Sequence, residues 1–194
     1  MNEWDRYIDT IADGLRRLAA TDRVGAALTP ADGFDRWVGL THEAEQRDSQ
    51  IFIIGNGGSA AMASHMAIDA CKNGHLRALA LNDPAFITAT GNDLSYDQVF
   101  RLPLQRLARN GDLLITISSS GNSPNVLEAI EGARGIGMNV VTLSAKDGDN
   151  RSRDAGDLNF YVPLSRYGWA ESAHQIVLHY WFDRYLDLHR GGAL

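Results

Sequence analysis

The sequence predicts a three-layer α/β sandwich, doubly wound around a parallel sheet of five strands. Five short apolar runs follow one another along the chain, at residues 51–54, 76–81, 113–117, 140–143 and 158–162. They are apolar without alternation, which is typical of parallel strands that are covered on both faces. The segments between them are long enough to hold crossover helices. This alternation of apolar runs with helix-length segments predicts the sheet and the helical layers on both of its faces.

The pattern of residues 1–48 predicts a segment with two helices that precedes the sheet. Apolar residues recur there at helical spacing, first at Trp4, Tyr7, Ile8, Ile11, Leu15 and Leu18 and then at Phe34, Trp37, Val38 and Leu40. Thr29 and Pro30 supply an N-cap and a first-turn proline for the second helix. The longest predicted helix closes the chain, at residues 169–188. We expect residues 1–194 to form a single domain.

Composition restricts the classes of partner. The 194 residues carry 24 acidic and 18 basic side chains, a formal net charge of −6, and no basic run that could follow a nucleic-acid backbone. The apolar runs have the length of strands, and the first residues lack the basic-then-apolar order of a signal peptide. Cys71 is the single cysteine, so no internal disulfide is possible. We expect no direct nucleic-acid or membrane partner, and a cytoplasmic location.

The first candidate binding loop is the segment Gly55-Asn56-Gly57-Gly58-Ser59, which lies between a predicted strand and a predicted helix. Glycines let the backbone approach an anion, and the following helix presents free amide groups and the positive end of its dipole. The loop lacks the lysine of a P-loop and the spacing of a dinucleotide fingerprint. A glycine-rich turn of this kind can also be purely structural.

The second candidate loop also lies between a strand and a helix. It contains four serines in six residues, Ser118, Ser119, Ser120 and Ser123, and Pro124 opens the helix that follows. Hydroxyl and amide groups suit a phosphate monoester, whereas the alternative is a solvated helix cap. Two such loops at the carboxyl ends of neighbouring strands favour a shared phosphate pocket.

A third pattern consists of histidine and carboxylate side chains at close spacing on two predicted helices. His65 and Asp69 lie four residues apart on a predicted helix and so share a face, where they could bind zinc or form a surface hydrogen bond. On the last helix, Glu171 is followed by His174 and His179.

The two loops, with Gly91-Asn92-Asp93 between them, resemble the sugar isomerase (SIS) family. The resemblance is to its phosphoheptose isomerases, which interconvert sedoheptulose 7-phosphate and D-glycero-D-manno-heptose 7-phosphate. It implies that a divalent metal ion, Zn²⁺, is held by His65, Asp69, Glu171 and His179. The alignment of the last helix that this set requires is preferred because it keeps the apolar positions in step; a shifted alignment would put His174 at the ligand position and Phe182 where the second histidine belongs. The resemblance also implies a homo-oligomer, a tetramer with active sites between subunits. The substrate-binding residues implied by the resemblance are Asn56, Gly57, Ser59, Asn92, Asp93, Ser118, Ser119, Ser120, Ser123 and Glu171.

For an aldose–ketose isomerase, Asp69 is assigned to the carbon proton and His179 to the oxygen side. The sequence departs from the family at Asp69, which is shorter than the usual Glu, at Glu171, which replaces Gln, and at Asn73, where Arg is common. Two other functions remain open. One is a non-catalytic SIS protein of the type that associates with the DnaA initiator, and the other is a sensor or isomerase of a different sugar phosphate.

Overall fold

A mixed sheet of seven strands forms the middle layer of the protein in the computed structural model, which describes residues 2–192. In spatial order the strands run β2-β1-β7-β6-β5-β3-β4. Strands β3 to β7 pair in parallel, and β1 is antiparallel to both of its neighbours. The strands are β1 (Ala19–Asp22), β2 (Ala27–Leu28), β3 (Ile51–Gly55), β4 (Ala78–Ala80), β5 (Leu113–Ser118), β6 (Asn139–Ser144) and β7 (Leu158–Tyr161).

The five predicted strands correspond to β3–β7, so the three-layer α/β prediction is confirmed. The two helices predicted within residues 1–48 are present, at Glu3–Arg16 and Pro30–Gln46, but the chain between them is not helical. There β1 and β2 form a hairpin that extends the predicted five-stranded sheet to seven strands. Its turn depends on Asp22, whose carboxylate accepts the backbone N–H groups of Val24 and Ala26, and on Gly25 with a φ of +79°. These short strands consist mainly of small residues, so they have no marked apolar alternation.

Helices cover both faces of the sheet. Helices α2, α3 and α7 pack with part of α1 against one face, and α5 and α6 pack against the other. None of the helices within residues 2–192 is long and apolar enough to cross a membrane. The helices are α1 (Glu3–Arg16), α2 (Pro30–Gln46), α3 (Gly58–Lys72), α4 (Pro84–Asp93), α5 (Arg101–Leu107), α6 (Pro124–Ile136) and α7 (Tyr167–His189), with 3₁₀ turns at Tyr96–Gln98 and Arg151–Asp154.

Helix α7 is fixed in the core by aromatic packing. The rings of Trp37 on α2 and Trp181 on α7 stack with their centroids 4.7 Å apart. The Trp181 indole N–H donates a 3.0 Å hydrogen bond to the Thr41 hydroxyl, which satisfies a buried polar group. The predicted last helix is therefore confirmed, and its inner face is rigidly held.

The chain changes direction in the sheet between β3 and β5. From β3 it moves outward to β4, and it then returns to β5 on the opposite side of β3. The pairing of β3 with β5 ends at Gly55 and Ile117, so the two loops that follow these strands begin side by side. Such a switch point leaves a crevice at the carboxyl ends of the strands, where open α/β sheets bind ligands.

Candidate active site

The two predicted loops enclose one small cavity at this crevice. Its volume is about 130 Å³, and its lining contains four serines of the second loop as well as Ser59 of the first. No lysine or arginine lines it. We call it the serine cavity; it is lined by Asn56, Ser59, Ile117, Ser118, Ser119, Ser120, Ser123, Tyr167 and Glu171.

Two helices begin at the serine cavity without side-chain caps. Helix α3 starts after Gly57 and α6 starts after Ser123, and neither has a side-chain hydrogen bond at its N-cap. Helices α1, α2 and α4 are capped by Asn2, Thr29 and Asp83, whereas α5 and α7 also lack a side-chain cap. The amides of Ser59, Ala60 and Val126 donate to backbone carbonyls of the preceding loops, and Pro124 has no N–H group. Within residues 2–192, the Gly58 and Asn125 amides have no such acceptor and are left for another one. Together with the helix dipoles they favour an anion in this cavity.

Backbone conformation and burial hold both loops in place. Gly57 has φ +57° and ψ −123°, a combination that glycine adopts without steric cost. In the second loop, Gly121 has φ +62°, and its carbonyl accepts hydrogen bonds from the Ser152 amide and hydroxyl. The buried Ser119 hydroxyl has no hydrogen-bond partner among residues 2–192. This hydroxyl is available to a ligand.

Three predicted substrate-binding residues are absent from the cavity lining. Gly57 shapes the start of α3, and Asn92 and Asp93 lie at the exposed end of α4. The Asn92 side chain donates a 2.8 Å hydrogen bond to the Asp93 carboxylate. Whether these residues contact substrate stays a prediction.

The structure adds two residues near the cavity that the sequence patterns did not single out. Asn125, the second residue of α6, exchanges hydrogen bonds with Asn56. The Lys146 ammonium lies 4.2 Å from the ring centroid of Tyr167, which lines the cavity. Nothing local in the sequence marked Asn125, because polar residues are usually exposed and its burial arises only from the tertiary fold. Nothing local in the sequence pointed to Lys146 either.

A second concavity runs along the outer side of α7. It has a volume of about 740 Å³ and includes His179 and Glu171. Glu171 lines both concavities, and its carboxylate lies against Gly58 at the start of α3. We call this concavity the α7 groove; it is lined by Gly58, Met62, Glu171, Ser172, Gln175, Ile176, His179, Tyr180 and Asp183.

Three of the four predicted metal ligands are neighbours. His65 Nε2 lies 3.2 Å from Asp69 Oδ2, and the rings of His65 and His179 meet edge to face with their centroids 5.4 Å apart. Two imidazoles and a carboxylate suit Zn²⁺ chemically. In the part of the chain that the structure describes, however, no three His, Cys, Asp or Glu side chains are grouped so that they could hold a metal ion. The donor types fit, but one chain alone does not arrange them around a common centre.

His174 occupies a different environment from His179. It is fully buried, and neither ring nitrogen has a hydrogen-bond partner of normal geometry within residues 2–192. Burial lowers the pKa of His174 to about 4, and the nearby Ser144 backbone only partly opposes this shift. Phe182, the second position of the shifted alignment, is also buried. The geometry therefore favours the alignment that places His179 at the site.

Comparison with known proteins identifies the family. The sequence model of the SIS domain matches residues 7–145. The chain belongs to the SIS domain family. This SIS protein is 33% identical over 183 residues to the phosphoheptose isomerase of Enterobacter sp. (strain 638), an alignment that covers 90% of this chain and 87% of that protein. It is 40% identical over 136 residues to the phosphoheptose isomerase of Campylobacter concisus (strain 13826), covering 67% of this chain and 71% of the relative.

The fold of this SIS protein matches a solved structure as well. The phosphoheptose isomerase GmhA from Neisseria gonorrhoeae superposes with a TM-score of 0.80 at 30% sequence identity, over 94% of each chain. The predicted resemblance to the SIS family and to its phosphoheptose isomerases is thus confirmed in both sequence and fold.

Proposed function

We propose that this SIS protein is a phosphoheptose isomerase, an aldose–ketose isomerase that converts sedoheptulose 7-phosphate to D-glycero-D-manno-heptose 7-phosphate. The observation that carries the proposal is the junction at Glu171 between the serine cavity and the α7 groove. One side of this junction offers uncharged donors for a phosphate, and the other offers acid–base groups. The curated names of the relatives support the same reaction.

The spacing along α7 suits a long sugar phosphate. Glu171 and His179 are eight residues apart, so their Cα atoms are separated by about 12 Å along the helix axis. A substrate held by its phosphate in the serine cavity would need an extended carbon chain to bring its carbonyl to His179. A seven-carbon sugar meets this requirement better than a three-carbon one.

The chemistry needs one group for a carbon proton and another for the oxygens. Isomerisation moves a proton between C1 and C2 through an enediolate. We assign the carbon proton to Asp69, whose side chain is only partly exposed, and the oxygen proton to His179. The His65 contact to Asp69 orients that carboxylate.

A divalent ion, Zn²⁺, forms part of the proposal. His65, Asp69 and His179 would hold it, with Glu171 as the fourth residue, and when bound it would polarise the substrate carbonyl. A side-chain rearrangement or a second copy of the chain would have to bring the donors together.

We also propose a homo-oligomer, a tetramer, that covers the α7 groove. Ile176 and Tyr180 are 50% and 46% exposed on this helix, and Trp4 on α1 is 67% exposed. Apolar side chains at such exposure favour an interface between copies. A cytoplasmic location completes the proposal; its support is Cys71, an exposed free thiol that suits a reducing compartment.

A product assay tests the proposal. The protein is incubated with sedoheptulose 7-phosphate, a hexose phosphate and a pentose phosphate, each with zinc and with a chelator, and the products are read by NMR. We expect conversion of the heptose phosphate and loss of activity with the chelator. Conversion of only the hexose or pentose phosphate would contradict the substrate assignment. Binding of DnaA without any sugar-phosphate turnover would support the non-catalytic alternative.

A further inference from the structure

The Asn56 side chain forms a junction between three segments of the chain. Its Nδ2 donates a 2.9 Å hydrogen bond to Asn125 Oδ1, and Asn125 Nδ2 returns a 2.9 Å hydrogen bond to Asn56 Oδ1. The Tyr96 hydroxyl donates a further hydrogen bond of 3.2 Å to the same Oδ1. Asn125 is only 2% exposed, so Asn56 satisfies an amide that has little access to water.

Each partner belongs to a segment that carries predicted binding residues. Asn56 precedes α3, Asn125 follows the serine loop within the first turn of α6, and Tyr96 lies in the 3₁₀ turn after Asn92 and Asp93. The backbone pairing of β3 with β5 ends at Gly55 and Ile117. The amide pair is therefore a cross-link between the two loops beyond the end of the sheet.

We propose that Asn125 is a positioning residue for phosphate binding, acting through Asn56 to hold the N-termini of α3 and α6 at the separation that lets both serve one anion. This inference rests on the proposed function. A side-chain amide has one oxygen and two N–H groups. The oxygen of Asn56 already accepts two hydrogen bonds and one of its N–H groups is used, so its main contribution is to fix the loop.

The physical reason is pre-organisation. Uncapped helix N-termini bind an anion best when their amide groups already converge, because ordering two loops on binding reduces affinity. Without the pair, each loop could relax separately. The effect should appear in the affinity for phosphate and much less in the chemical step, which is assigned to Asp69 and His179.

A double-mutant cycle tests this inference with inorganic phosphate as the probe. Asn56→Ala, Asn125→Ala and the double variant are compared by calorimetric phosphate binding, by KM and kcat, and by thermal unfolding. We expect each single variant to weaken phosphate binding by about tenfold and the double variant to be no weaker than the singles, since both remove the same interaction. We expect kcat to change less than KM.

Two further variants separate positioning from general destabilisation. Tyr96→Phe removes only the outer hydrogen bond and should weaken phosphate binding by a smaller factor without a loss of folding. Asn82→Ala is the matched control: Asn82 also ties α3 to another segment, through hydrogen bonds to the Ala60 carbonyl and the Ser64 hydroxyl, but it does not line the cavity. Its phosphate affinity should stay at the parent value.

The outcomes distinguish the inference from the proposed function. Folded variants with unchanged phosphate affinity, or with additive effects in the double variant, would overturn the positioning role alone. If the alanine variants do not fold, unchanged binding by Tyr96→Phe would overturn it as well. A parent protein that binds no phosphate would refute the proposed phosphate site and the inference together.

Discussion

The carboxylate of Glu171 lies directly over Gly58, the first residue of α3. A methyl group built at Gly58 would lie 2.8 Å from Glu171 Oε2, closer than carbon and oxygen atoms normally approach. Because glycine has no side chain, the Glu171 carboxylate can lie beside the positive end of the α3 helix dipole. This contact joins the serine cavity to the α7 groove, and it relates the predicted phosphate site to the predicted acid–base site.

The first prediction concerns this contact. Gly58→Ala should displace the flexible Glu171 side chain and lower kcat/KM by about tenfold or more, with no decrease in Tm, because alanine is favoured over glycine in a helix. Gly55→Ala is the matched comparison. Its methyl group would meet the Ile117 carbonyl at 2.9 Å and the Ser59 backbone at 2.8 Å, so it should lower stability by about 1–3 kcal/mol. Kinetics and thermal unfolding of both variants separate the effects; full activity of Gly58→Ala would show that the Glu171 position is irrelevant.

The second prediction concerns the serines. Ser120→Ala and Ser123→Ala should each raise KM by about 10- to 150-fold, since each removes a hydrogen bond to a charged group worth about 1.5–3 kcal/mol. Ser49→Ala is the control, because Ser49 precedes β3 at the amino ends of the strands, whereas the serine cavity lies at their carboxyl ends. Steady-state kinetics measure the change. Parent-like KM values in both cavity variants would remove the serine cavity as the phosphate site.

The site residues also show which features of the structure could be predicted from the sequence alone. The two loops were predictable because each follows a fully apolar strand and precedes a helix, which are local signals. The Asn56–Asn125 pair was not, because its members are 69 residues apart and meet only through the tertiary fold. The β1–β2 hairpin was missed for a related reason: it is stabilised by pairing with β7, a contact that its own small residues do not signal.

The two histidines of α7 illustrate the same limit. Residues five apart on a helix point in different directions, so His174 and His179 could not both face one site. The apolar positions of the helix favoured His179 as the site residue, but the sequence left open whether His174 packs in the core or lines the site. The structure places His174 inside the core and His179 in the α7 groove, because the inner face of α7 is fixed by its packing around Trp181.

The third prediction follows from the buried His174. Its pKa is about 4 in the folded protein, against an ordinary value of 6.5. The unfolded chain therefore takes up this proton near pH 6.5, and the folded chain takes it up only near pH 4. The stabilisation from neutral His174 is complete above pH 6.5 and is lost as pH falls towards 4, by about 3 kcal/mol in total.

Urea unfolding at pH 7 and at pH 4.5 measures this loss. His174→Gln should flatten the pH dependence, whereas His75→Asn, which changes an exposed histidine, should leave it as in the parent. If the parent and His174→Gln lose stability equally over this range, another group is responsible.

The fourth prediction concerns assembly. Ile176→Glu places a charge in the α7 groove and should shift the protein towards monomer and reduce its activity in parallel, because the charge would be buried at the proposed interface. Val24→Glu, at an 86% exposed residue of the β1–β2 hairpin, is the control. Sedimentation at the assay concentration measures the oligomeric state of each variant. A fully active parent monomer would refute the interface.

Solvent deuterium exchange tests the central claim, proton transfer on a sugar phosphate at Asp69 and His179, most directly. Sedoheptulose 7-phosphate is incubated with the protein in D₂O, and NMR follows deuterium at C1 and C2. We expect deuterium to be incorporated in the parent reaction. Asp69→Asn and His179→Ala should lower the exchange rate by several orders of magnitude while phosphate affinity is retained. Asp187→Asn, which changes an exposed carboxylate further along α7, should exchange at the parent rate. Exchange at the parent rate in Asp69→Asn, or none in the parent with zinc present, would contradict the account.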